Sequence, residues 1–155
     1  MNRRTLLLGT LAFAALVTLE RRVARADAED IAVIVHRSNG ITSMNRAQLG
    51  AIFKAKSTQF PGGARATAVN QPLESPTRRA FDLAVLGLRP DEVERYWLDS
   101  KIRSGVGSPR SLPGPAAVVR FVSADESGIG YVPSADVSDA VRVVARIRGG
   151  QVVAP

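Results

Sequence analysis

Ile31-Ala32-Val33-Ile34-Val35-His36-Arg37 is a nearly continuous run of apolar, mostly β-branched side chains. A strand that alternates apolar and polar residues buries one face, whereas a strand apolar at every position is buried on both, as in parallel or mixed sheets. Ser38-Asn39-Gly40 ends the run with turn-forming residues. A strand without a wet face needs cover above and below. The rest of the chain must therefore supply helices, and the expected class is α/β with a mixed sheet flanked by helices.

Downstream, the expected elements alternate. Asn45 caps a helix running to about Lys54, with Leu49, Ile52 and Phe53 at helical spacing. Phe60-Pro61-Gly62-Gly63 is a turn, and a short strand follows from Ala66 to Asn70. Ser75-Pro76 opens the best-signalled helix: serine is a favoured N-cap, and proline at the first helical position gives up no hydrogen bond. Phe81, Ala84, Val85 and Leu88 form its buried stripe, and Gly87 with Arg89-Pro90 closes it. Asp91-Glu92 begin a helix to about Asp99 with Val93, Tyr96 and Trp97 as its core face. Residues 104 to 115, rich in glycine and proline, read as a loop. A helix from Ala116 to Ser123 and strands at 129 to 132 and 141 to 147 complete the chain, with no internal repeat and no linker.

Upstream of Ile31 the pattern changes. Arg3 and Arg4 precede 14 uncharged residues, Leu6 to Leu19, and Ala24-Arg25-Ala26 places small residues where a signal peptidase reads. A membrane span needs roughly 20 apolar residues, so residues 1–26 are expected to be a signal peptide cleaved after Ala26. The arginine pair also fits a twin-arginine signal, and residues 27–155 are expected to form a single periplasmic domain. Loss of that segment lowers the net charge from +7 to +3, because it holds Arg3, Arg4, Arg21, Arg22 and Arg25 against Glu20. The remaining cations are scattered, and no nucleic-acid partner is expected. The chain has no cysteine, so neither disulfides nor a cysteine-linked lipid anchor is available.

Chemistry converges at the start of the Ser75 helix. The first amides of a helix lack intrahelical acceptors and the helix dipole is positive there, so an oxyanion is welcome. Ser75 and Thr77 add hydroxyls, and Arg78 adds a planar fork suited to phosphate or carboxylate. The same residues also allow a plain helix opening with Arg78 paired to Glu74 or Asp82. His36 is the only histidine, so the chain lacks the ligands for a conventional zinc or iron site, and no nucleophile signature accompanies it. The expectation is a protein that is not an enzyme and carries no metal or cofactor.

The order of these segments resembles the periplasmic phosphate-binding proteins of ABC transporters, especially short single-module relatives with part of a type 2 periplasmic-binding-protein fold. The resemblance is carried by the strand and Ser38-Asn39-Gly40 turn, by Leu49 through Ile52-Phe53, and by Phe60-Pro61-Gly62-Gly63. Ser75 to Phe81 and Gly128-Ile129-Gly130-Tyr131-Val132 complete it. It implies Ser75, Thr77 and Arg78 as ligand contacts, with Ser38 and Asn39 as further candidates. Two departures stand out. The residues before Ile31 are not expected to supply the Gly- and Ser-rich loop that closes over phosphate in full-length relatives. Gln71 and Leu73 stand where that pattern has an arginine and an aspartate, which removes the acceptor that tells protonated phosphate from sulfate.

The resemblance implies an exported, monomeric solute-binding module for phosphate or a similar oxyanion, with an ABC transporter permease as its partner. The alternative is a degenerate relative that serves as an envelope interaction or sensory module without a small ligand.

Overall fold

The computed structural model describes residues 30–155; the expected signal peptide and its cleavage after Ala26 lie outside the described residues. In chain order the elements are β1 (Ile31–His36), α1 (Arg46–Phe53), β2 (Thr67–Asn70) and α2 (Pro76–Phe81), which runs directly into a π-helical segment, Asp82–Leu86. There follow α3 (Pro90–Ser104), β3 (Arg110–Ser111), α4 (Pro115–Ala124), β4 (Gly128–Pro133), β5 (Val141–Arg148) and β6 (Gln151–Val153). The strands form one six-stranded sheet in the order β3-β2-β4-β1-β5-β6. Pairing is parallel on the β3-β2-β4 side and antiparallel from β4 onward, so the sheet is mixed as expected.

β1 is the hub of the sheet. It runs antiparallel to both neighbours, with Ile31 opposite Pro133 of β4 and Ile147 of β5. Because successive side chains of a strand point to opposite faces, its apolar run splits between two cores. Ile31, Val33 and Val35 join Leu49, Phe53, Phe81 and Tyr131 on the face covered by α1, α2 and the π segment. Ala32 and Ile34 join Val118, Val122 and Val132 on the face covered by α4. The absence of polar positions from Ile31 to Val35 is thus explained by helices on both sides.

Local signals set most helix ends. Asn45 accepts from the Gln48 amide at 2.9 Å, and the Gln48 side chain accepts from the Asn45 amide at 2.9 Å, a reciprocal cap that starts α1. Ser75 caps α2 with Pro76 at its first position. Three kinds of difference from expectation stand out. The segment after Phe81 is π rather than α, and its wider i→i+5 turn lets consecutive Ala84, Val85 and Leu86 all be buried. α3 continues to Ser104 instead of ending near Asp99, because Asp91–Arg95 and Asp99–Arg103 pairs brace it and Gly105, at φ 72°, forms its C-cap. The third difference is two extra strands: β3 within the expected loop, and β6, joined to β5 by Gly149 and Gly150, both with positive φ.

Gly130 is the tightest point between β4 and α4. A Cβ there would lie 2.5 Å from Val118 Cγ1 and 3.2 Å from Val69 Cγ2. Gly130→Ala is therefore expected to force the helix off the sheet and cost about 1–3 kcal/mol. A urea denaturation midpoint equal to that of the parent protein would refute this close packing.

Candidate oxyanion site at the carboxyl end of β2

β2 ends at Asn70, and the chain then turns through Gln71 to the Ser75 cap of α2. Asn70, Gln71, Arg78 and Asp82 are the polar residues buried in the described chain, and all four lie between the last residue of β2 and the first of the π segment. They form one network with Tyr131. Gln71 Nε2 donates to the Tyr131 carbonyl at 2.9 Å, and the Tyr131 hydroxyl donates to Asn70 Oδ1 at 3.1 Å. Ser75 Oγ donates to Gln71 Oε1 at 3.2 Å and accepts the Arg78 amide at 3.4 Å. Among the described residues no buried side-chain nitrogen or oxygen lacks a partner.

Arg78 is the charged centre of this network. Its Nε donates to Asp82 Oδ2 at 3.3 Å and its Nη1 to the Gln71 carbonyl at 2.9 Å, and the residue is only 6% exposed. Of the two pairings the sequence allows, the structure selects Asp82 over Glu74, which is exposed. The i,i+4 spacing permits the pair and burial strengthens it. Nη2 has no hydrogen-bond partner among the described residues. Thr77 is half-buried, and its hydroxyl is likewise unpartnered among the described residues. The groups left for an anion are therefore the Thr77 amide and hydroxyl and one edge of Arg78. Ser75, spent on Gln71 and on the cap, acts as the organiser of the turn.

The five candidate residues do not gather in one place. β2 is parallel to β4 while β1 is antiparallel to it, so the chain leaving β1 and the chain leaving β2 emerge at opposite ends of the sheet. Ser38 and Asn39 follow β1 and therefore lie away from Ser75, Thr77 and Arg78. They are engaged locally: Ser38 Oγ shares a hydrogen bond of 2.7 Å with His36 Nδ1, and Asn39 Oδ1 accepts the Ile41 amide at 3.0 Å. The structure thus brings Ser75, Thr77 and Arg78 together and leaves Ser38 and Asn39 at the other end of the sheet. The residue missed by sequence reasoning is Asn70, whose Nδ2 donates to Ser108 Oγ at 3.3 Å and ties the loop after α3 to the same end of the sheet.

A second collection of cations, Arg46, Lys54 and Lys56, lines a groove of about 510 Å³ between α1 and the π segment. Lys54 and Lys56 follow the C-terminus of α1, where positive charge offsets the negative end of the helix. Arg46 Nε donates to the Val85 carbonyl at 3.4 Å. These contacts account for the cations without a ligand.

Burial pushes the Asp82 carboxyl up to about 6, against the opposing pull of the Arg78 guanidinium. The folded state therefore holds this proton more tightly than the unfolded chain. The contribution of Asp82 to stability is greatest below about pH 4 and is lost as pH rises through about 6. A decline on the order of 2 kcal/mol across that window is expected, and Asp82→Asn should flatten it. Urea unfolding from acid to neutral pH measures the profile; an equally steep decline in the variant would refute the assignment.

No protein-family model matches the chain, and no curated protein sequence does. Solved structures do. The chain superimposes on an ABC-type phosphate transport receptor from Vibrio cholerae with a TM-score of 0.61 and 21% identity, covering 76% of this chain and 46% of the receptor. It matches a putative phosphate ABC transporter substrate-binding protein with bound phosphate from Clostridium perfringens at 0.58 and 25%, over 76% and 45% of the two chains. PstS from Borrelia burgdorferi follows at 0.54 and 12%, over 75% and 46%. The chain thus spans less than half the length of each. The chain shares its fold with part of each of these phosphate-binding proteins.

Proposed function

We propose that the chain is an exported solute-binding module that captures phosphate or a similar oxyanion and hands it to an ABC permease. The observation that carries this reading is the place of Thr77 and Arg78. They sit at a helix start beyond the carboxyl end of β2, in a fold shared with phosphate receptors. Ligands of α/β sheets favour the carboxyl ends of parallel strands, and β3, β2 and β4 run parallel here. Asp82 and the Gln71 carbonyl hold the guanidinium by two of its three nitrogens, which leaves the third to meet an oxyanion in a preset orientation. Export is supported by the charge and apolar layout of residues 1–26. Among the described residues no helix is long and apolar enough to cross a membrane.

Among the described residues no carboxylate pairs with Arg78 other than Asp82, and Glu74, near Thr77 in sequence, is exposed. Discrimination between protonated phosphate and sulfate is therefore expected to be weak. Calorimetric titration of residues 27–155 with phosphate and with sulfate tests both points. Binding of both anions within about tenfold of each other is expected. Arg78→Lys keeps a buried charge for Asp82 but loses the fork, and should weaken binding at least about tenfold while circular dichroism stays unchanged. No heat with either anion, or full affinity in the variant, refutes the proposal.

A further inference from the structure

α3 is anchored on one side only. Val93 and Trp97 are buried, and the Tyr96 hydroxyl donates to the Lys54 carbonyl at 2.8 Å. The outer side carries Leu98 and Ile102, 64% and 76% exposed and one turn apart. Single exposed leucines are ordinary; here the charges around the pair are ordered as well. At about 100° per residue, Glu94 and Lys101 fall on one flank of Leu98 and Arg95 and Ile102 on the other, each within about 60° of it. Arg95 is paired with Asp91 and Arg103 with Asp99, whereas Glu94 and Lys101 have no ion pair among the described residues.

A two-fold axis perpendicular to the helix at the height of Leu98 reverses chain direction and keeps each flank on its own side. Glu94 of one copy then comes beside Lys101 of the other, and this happens twice. Leu98 meets Leu98, and Ile102 lies against the aliphatic stem of Arg95, as an isologous contact requires. The same operation sets the acidic start of one helix, Asp91 and Glu92, along the basic end of the other, Lys101 and Arg103, with the dipoles opposed. In a parallel pairing the acidic starts would lie together, Glu94 would face Arg95, already paired with Asp91, and Lys101 would face Ile102. We propose that the outer face of α3 is a self-complementary surface on which a second copy of this chain docks, antiparallel about Leu98.

This departs from the monomer expected from the sequence and is independent of what the module binds. With two large apolar side chains per copy, the contact falls short of the roughly 1,200–2,000 Å² of a stable interface. The association is therefore weak and concentration-dependent.

Sedimentation equilibrium of residues 27–155 over a wide concentration range, in low salt and without phosphate, tests the proposal. Reversible dimerisation is expected. Leu98→Asp should weaken it at least about tenfold, and Lys101→Glu should weaken it by placing carboxylates side by side. The double variant Glu94→Lys with Lys101→Glu reverses both ion pairs and should recover association. All three positions are exposed, and circular dichroism checks that each variant is folded. A monomer at every concentration overturns the proposal, as does a folded double variant that fails to recover. Binding to vesicles of anionic phospholipid without self-association also overturns it and reassigns the face to a membrane surface.

Discussion

Tyr131 joins the apolar interior of this protein to its polar end. Its ring lies parallel to Phe81 with centroids 3.8 Å apart, and Phe53 meets Phe81 edge-on at 4.6 Å, so one aromatic cluster clamps α1, α2 and β4 together. Its hydroxyl reaches out of that cluster to Asn70, and the Gln71 amide approaches the same oxygen at 3.4 Å. Burial pushes the phenol above its ordinary range, which keeps it a neutral donor. The end of β2, the start of α2 and the position of Arg78 all follow from where this side chain sits.

The polar turn built on Tyr131 is expensive to bury. An ion pair removed from water recovers its desolvation cost only with good geometry and further hydrogen bonds. Arg78 has both Asp82 and the Gln71 carbonyl, and Gln71 is itself held by Ser75 and Tyr131. The raised Asp82 carboxyl records that the cost is not fully offset. A solely structural role would be served as well by apolar residues of similar volume. The guanidinium is fixed by two nitrogens, and its third has no partner among the described residues. Gln71 holds the turn through neutral hydrogen bonds and adds no charge to it.

Much of the architecture was legible one element at a time. The Asn45–Gln48 box, the Ser75-Pro76 opening and the Gly87 stop are contacts between residues three or four apart, and such contacts follow from residue type. Gly149-Gly150 was an equally local hairpin signal that points to β6. β3 carried no such signal: Arg110 and Ser111 are both exposed and become a strand only because Val69 and Asn70 offer them an edge. The π segment has a similar origin, since the demand to bury Ala84, Val85 and Leu86 together comes from the aromatic cluster beneath them.

By itself, the amino-acid order determined the α/β class, the double-sided burial of Ile31 to Val35 and the helix start that nominates Thr77 and Arg78, because side-chain periodicity and capping are short-range properties. Only the tertiary structure decided that Ser38 and Asn39 stand apart from that helix start, and that Arg78 turns inward to Asp82 with a single edge left over. Strand direction is set by pairing between residues some hundred positions apart along β1 and β4, and the partner of a buried charge is set by which groups share its loss of water.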